Sequence, residues 1–158
     1  MRYEFAAPQD KPQIKRLLEA SDLHHCDITT SQLKHFLLAW ANSELVGVVG
    51  LEIKGGYALL RSLAVNTAFR RKGLATRLVH KIEDYAKSSK VNTLYLLTMT
   101  AEDFFVKRGY QRTSRDSAPA GIQRTTEFQN LCPVSAACMV KFLGECPQPA
   151  RQLPEAKV

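Results

Sequence analysis

One dense basic cluster stands out in the chain: Arg70-Arg71-Lys72, followed by Gly73-Leu74-Ala75. It comes after an apolar run, YALLRSLAV, and before a segment of helical periodicity. The start of a helix leaves backbone N–H groups without intrahelical partners and carries the positive end of the macrodipole. An anion docks there readily. Gly73 lets the backbone approach an oxygen with no side chain in the way, and Ala75 is small enough to permit the same one step later. Arg70, Arg71 and Lys72 would add fixed charge, so one chemistry open to this turn is the grip of a phosphate or pyrophosphate. Neither G-x-x-x-x-G-K-[ST] nor G-x-G-x-x-G is present. The competing reading is a turn glycine beside solvated cations.

Arg61 is the second signal. Strand alternation puts Tyr57, Leu59, Arg61 and Leu63 on one face. A guanidinium inside an apolar strand is costly to bury without a partner. Either a substrate carboxylate takes its fork, or an internal salt bridge with Glu52, Glu102 or Asp103 does. Glu52, on the neighbouring strand, is the candidate general base; the other reading is a surface glutamate on an alternating strand. Thr98 and Thr100, at a strand end, can bond a ligand, or Thr100 can cap the next helix. His24 and His25 sit in Ser21–Gln32, a polar loop long for a connection. They read as surface histidines or as groups beside a substrate. Of the four cysteines, Cys26, Cys132, Cys138 and Cys146, no pair has C-x-x-C spacing and no histidine neighbours the last three. That argues against zinc and for free, mostly buried thiols.

The bulk numbers bound the setting for this chemistry. With 158 residues, 45% hydrophobic and 23% charged, the chain reads as one ordinary globular domain. Residues 1–143 are expected to form it, with a proline-rich tail over 144–158 expected to be mobile. The formal charge of +7 favours an anionic partner. Because the remaining cations are scattered and no aromatic-interleaved stripe exists, nucleic acid is not expected. No apolar run reaches the roughly 18 residues of a spanning helix, and MRYEFAAPQDK lacks a signal-peptide core. The expected location is therefore the cytoplasm, without membrane contact.

Periodicity supplies the elements. RYEFAA predicts a first strand and Pro8–Ala20 a helix with Ile14, Leu17 and Leu18 on one face. HFLLAWA and ELVGVVGLEI predict a hairpin about Asn42-Ser43, and Lys54-Gly55-Gly56 a turn into YALLRSLAV. Leu78, Val79, Ile82, Tyr85 and Ala86 form a helical stripe after Leu74. VNTLYLLT predicts a strand covered on both faces, AEDFFVKRG a short helix ended by Gly109, and YQRTS another strand. Ser117 to Gln129 is mixed, and a last strand is expected from about Cys138. The fold class is α/β of the mixed α+β kind, a sheet with helices packed on it.

Over roughly positions 44 to 113, the meander, the strand ending in LAV, the R-x-x-G-x-A turn, the amphipathic helix and the F-F-x-x-x-G-Y segment together resemble the GNAT family of N-acetyltransferases. The resemblance implies a mixed, mostly antiparallel central sheet flanked by helices. It implies acetyl-coenzyme A as co-substrate, with the pyrophosphate held by Arg70, Arg71, Lys72, Gly73, Leu74, Ala75 and Thr76. The backbone of Leu63, Ala64 and Val65 would run beside the pantetheine arm. LYLLTMTAEDFFVKRGY is similar to N-acetylglutamate-synthase-like acetyltransferases. LLRSLAV, IQRTTEF and LCPVSAACM are similar to small acetyltransferases found with arsenic-resistance genes (ArsN-like proteins). Implied is acetyl transfer to the amine of a small amino-acid-like substrate, by direct attack in a ternary complex and without a metal. Arg61, Thr98 and Arg124 would bind that substrate, with Cys132 and Ser135 near it.

Two departures accompany the likeness. The family's frequent glutamate, five residues before Ala64, is Leu59 here, and its frequent tyrosine, four before Gly109, is Phe105. Direct transfer survives both, because a thiol of pKa about 8.5 can leave as thiolate with little help. The alternatives are acetylation of a protein or peptide amine, and a non-catalytic coenzyme A-sensing module. An edge strand near the C-terminus could pair in a homodimer.

Overall fold

The apolar runs form seven strands in the computed structural model, which describes residues 1–131 and 135–144. Cys132, Cys146 and the tail from 145 onward, including most of the expected mobile segment, lie outside the described residues. The strands are β1 (Arg2–Phe5), β2 (Phe36–Ala41), β3 (Glu44–Lys54), β4 (Tyr57–Val65), β5 (Thr93–Thr98), β6 (Gln111–Thr113) and β7 (Ala137–Phe142). They make one sheet of order β1-β2-β3-β4-β5-β7-β6. β1 with β2, β2 with β3, β5 with β7 and β6 with β7 run antiparallel, whereas β4 and β5 run parallel. A parallel pair needs a crossover, and α2 (Leu74–Ser88) supplies it. No helix among the described residues is long and apolar enough to cross a membrane.

Packing divides the chain into two compact units. The first comprises Met1–Glu52 and Leu60–Tyr85. Its core gathers α1 (Lys11–Ala20), through Ile14, Leu17 and Leu18, onto Phe36, Leu38 and Val48. The expected helix from Pro8 splits in two: Pro8–Asp10 is a 3-10 turn, and the α-helix begins at Lys11. Asp10 accepts the Ala7 N–H at 2.9 Å and closes that first turn, and Pro12, lacking an N–H, fits the opening of the helix. The long loop ends in a second 3-10 segment, Thr30–His35, capped by Thr29. The β2–β3 hairpin turns on Asn42, at φ 57, with Ala41 opposite Glu44.

Two features of this unit set the positions of α2 and of the β4 side chains. A Cβ on Gly47 would stand 2.9 Å from Leu78 Cδ1 and 3.4 Å from Leu74 Cδ2, so glycine on β3 lets α2 seat closely on the sheet. Leu74, Leu78, Val79 and Ile82 are buried on that side, at the spacing the sequence predicts. Ser62, inside β4, has φ 60, a left-handed value rare for a residue with a Cβ. Strict alternation therefore stops there, and Leu63 cannot be placed on the face of Arg61 by counting.

The second unit comprises Ile53–Leu59 and the described residues from Ala86 on. Leu59, Tyr95, Ala118, Ile122, Phe128 and Cys138 form a buried cluster. α3 (Glu102–Val106) ends where expected: Gly109 has φ 93, and Tyr110 N–H reaches back to the Phe105 carbonyl at 3.1 Å. The mixed segment resolves into a 3-10 turn at Arg115–Ser117, α4 (Ala120–Gln123) and one π-helical turn at Glu127–Leu131. The last strand, β7, lies inside the sheet between β5 and β6, so the edge near the C-terminus is the three-residue β6.

Candidate active site

The basic glycine turn adopts the geometry its residues suggest. After β4, Thr67–Phe69 makes a 3-10 turn; Arg71 then takes φ 66 and Gly73 φ 78 before α2 begins at Leu74. Left-handed residues are ingredients of the backbone nests that accept anions, and this turn carries two of them just before a helix. The first helical contact recorded in this turn is Arg77 N–H to the Gly73 carbonyl, at 3.1 Å. The N–H groups of Leu74 and Ala75 have no carbonyl one turn back to bond. Arg70, Arg71 and Lys72 are exposed. Arg70 Nε donates to the Val65 carbonyl at 3.0 Å, which ties the turn to the end of β4, and Lys72 Nζ lies 5.7 Å from the Phe69 ring. Leu63 and Thr76 are partly exposed, and Ala64 and Val65 are buried.

Arg61 is fully buried and paired inside the protein. Its guanidinium bonds Asp27 through both terminal nitrogens (Nη2 to Oδ1 at 2.8 Å), and Nη1 also donates to Glu52 Oε2 at 2.6 Å. Nε donates to Ser62 Oγ at 3.0 Å. Of the two readings left open by the sequence, the internal salt bridge with Glu52 is the one formed. The bidentate partner, Asp27, is not one of the three carboxylates expected from the sequence. Burial works to raise the Asp27 carboxyl, but the Arg61 guanidinium outweighs it and holds the group below the usual carboxylate range. Glu102, a further candidate, instead pairs with Arg112 at 3.1 Å.

The second unit holds the remaining candidates. Arg124, exposed after α4, lines a cavity of 540 Å³ with Arg115, Asp116, Ala120, Gln123, Phe128 and Gln129. Arg115 Nη1 donates to the Phe128 carbonyl at 3.3 Å, and Gln123 Nε2 to the Ala118 carbonyl at 2.7 Å. Thr98 Oγ1 accepts the Ala101 N–H at 2.9 Å, so Thr98 rather than Thr100 closes the turn before α3. Ser135 is exposed. Burial pushes the Cys138 thiol up despite nearby Arg115, which makes it a poor nucleophile. Leu59 is fully buried, and Phe105 packs edge-on against Tyr110 at 5.2 Å. Neither position offers a proton-transfer group.

Three functional candidates escaped the sequence reading: Asp27, Arg77 and Arg115. Asp27 lies in the loop that its length marks out, beside His24 and His25. His25 bonds Glu19 at 3.0 Å, and His24 is exposed. Arg77 bonds Tyr3 across 74 positions, and nothing local announces that contact.

Comparison with known proteins shows the family and the fold. Residues 3–112 match the profile of the acetyltransferase (GNAT) family. An uncharacterized N-acetyltransferase of Chlorobaculum tepidum is 38% identical over 90 residues, covering 54% of this chain and 56% of that protein. An amino-acid acetyltransferase of Pseudomonas paraeruginosa is 34% identical over 70 residues, covering 44% of this chain and 16% of that protein. The matches thus span only part of both relatives. N-acetylglutamate synthase from Neisseria gonorrhoeae, crystallised with coenzyme A and N-acetyl-glutamate, superposes with TM-score 0.79 at 22% identity, over 91% of this chain and 35% of that one. At that identity the likeness is one of fold.

Proposed function

The chain belongs to the acetyltransferase (GNAT) family, and from that premise we propose that it transfers acetyl from acetyl-coenzyme A to the amine of a small amino-acid-like acceptor. The observation that carries the donor is the turn into α2, with left-handed Arg71 and Gly73 among three exposed cations. In this reading the thioester supplies the activated acyl group. Arg70, Arg71, Lys72 and the backbone from Gly73 to Thr76 hold the pyrophosphate, and Leu63, Ala64 and Val65 line the pantetheine arm. If Gly73 is essential to that approach, Gly73→Val should weaken acetyl-coenzyme A binding about 10-fold in calorimetry, because a branched side chain resists a left-handed φ. Unchanged affinity would count against backbone contact at Gly73.

For the acceptor, the names of the amino-acid acetyltransferase relatives support the substrate class. Arg61 is engaged by Asp27 and Glu52 within the first unit; Arg124, which lines the second unit's cavity, remains the other candidate for an acid group. Thr98 remains a minor contributor, its hydroxyl already bonded to the local turn. Glu52 is the carboxylate proposed to take the amine proton, and acetyl transfer is direct, without an acetyl-enzyme. A role in arsenic resistance rests on the ArsN-like segments alone.

The test is coenzyme A release across a panel of amines containing glutamate, other amino acids, amino-acid-like phosphinates, organoarsenicals and peptides. Turnover with small amino acids supports the reading, and turnover with peptides alone replaces it with a protein acetyltransferase. The absence of polar groups at Leu59 and Phe105 favours one further reading, a coenzyme A sensor, which would bind the donor and turn over no amine. In the active assay, Arg124→Ala should raise the acceptor KM roughly 10-fold with the acetyl-coenzyme A KM unchanged, the loss of one charged hydrogen bond. No change would remove Arg124 from the acceptor site.

A further inference from the structure

Four strands of the second unit bring one cation and two exposed aromatic rings into a single row. The two-residue turn Gly55-Gly56, with Gly55 at φ 67, sets Lys54 opposite Tyr57. Tyr57 pairs with Thr93, and Thr93 with Phe142, so the four side chains leave the same face of the sheet. Two positions along each strand, that face carries Leu59, Tyr95 and Val140, which pack with Ile122 of α4. A Cβ on Gly121 of α4 would stand 3.2 Å from Lys54 Cβ, so the helix abuts the row at its cationic end. The aromatic part stays open: Tyr57 is 40% exposed and Phe142 74%. Lys54 is exposed and forms no salt bridge among the described residues. The described part of this unit holds nine Lys and Arg against four Asp and Glu, so its field favours an anion.

We propose that this row is a stacking platform for single-stranded nucleic acid, with bases on Tyr57 and Phe142 and a phosphate on Lys54. It goes beyond the acetyl-transfer reading and needs no part of it. Two inter-strand spacings put Tyr57 and Phe142 about 10 Å apart, each with a ring face for one base. Stacking of this kind tolerates any sequence, because every base has a π-face, and a nearby cation tracks the backbone. The sequence shows no aromatic-interleaved basic stripe because the row is assembled from positions 54, 57, 93 and 142, which only the sheet brings together. Charge argues against a second copy as the occupant. An isologous pair would set two such rows face to face, each bringing a cation and neither a carboxylate.

Fluorescence anisotropy with labelled oligo-dT and oligo-U about 12 nucleotides long reads the site. The wild-type protein should bind one or both, with affinity falling as salt rises. Phe142→Ala should weaken binding about 10-fold at an unchanged salt slope, the loss of one stacked base. That ring lies mostly in solvent, so its removal leaves the core intact. Lys54→Gln should reduce the log–log salt slope by about 0.7, one phosphate contact on a single strand. No binding of either oligonucleotide at low salt would overturn the platform. So would binding that Lys72→Ala weakens and Phe142→Ala does not, since the nucleic acid would then sit on the basic turn. A poly-glutamate peptide bound as tightly, with no loss in Phe142→Ala, would make charge alone the attraction. Dimerisation in sedimentation that Phe142→Ala abolishes would give the face to a second copy instead. None of these outcomes bears on acetyl transfer, which coenzyme A release reads separately.

Discussion

Arg61→Leu should lose about 3–5 kcal/mol of folding stability, read as a lower urea midpoint at unchanged slope. Removing the guanidinium leaves Asp27 and Glu52 as two buried carboxylates with no cation between them. The triple variant Arg61→Leu, Asp27→Asn, Glu52→Gln should recover most of the loss, because the uncompensated charges are gone. A stable Arg61→Leu protein with only a raised acceptor KM would reverse this assignment and return Arg61 to substrate recognition. The pH dependence has a definite sign. Asp27 titrates below its unfolded value in the folded protein. Its contribution is therefore fully present above the unfolded carboxylate pKa of about 3.9, and is lost as pH falls through the lower folded value. In Arg61→Leu the sign inverts: without the guanidinium, burial alone acts on Asp27 and favours its protonation, so the deficit should shrink on acidification.

Glu52→Gln should lower kcat about 100-fold, the low end for a removed general base, with acetyl-coenzyme A affinity unchanged. The amide keeps the shape of the carboxylate and can still accept from Arg61 Nη1 through its oxygen. Asp27→Asn is the control, because it meets the same guanidinium and has no part in proton transfer in the proposed mechanism. A fall in kcat confined to Glu52→Gln identifies the base. Equal small effects from both variants would make the cluster purely structural, and the amine would then lose its proton to solvent. One contact pulls against the role of base: Glu52 already accepts from Arg61, and its other duty is to hold that guanidinium.

Much of the turn proposed to hold the donor is legible in the sequence itself. The turn from β4 into α2 is local: Gly73 supplies the left-handed conformation, and Leu74, Leu78, Val79 and Ile82 fall at helical spacing. The β2–β3 hairpin and the end of α3 at Gly109 are local in the same sense. Arg71 is an exception, since its φ of 66 belongs to a residue with a full side chain and no residue-type rule announces it. Ser62 is another, and it spoils the count that places Leu63 with Arg61.

The residue types along the chain therefore determined the order of elements, the basic glycine turn and the presence of a charge inside β4 that had to be answered. Tertiary structure decided who answers it. Asp27 reaches Arg61 across 34 positions from an irregular loop, and Arg77 reaches Tyr3 across 74 from a helix. It also put β7 inside the sheet rather than at its edge. Helix periods and turn residues act through neighbours a few positions away, so they can be read in order along the chain. A salt bridge or a strand's place in a sheet depends on which distant segments the packed core brings together, and no short window of sequence contains that information.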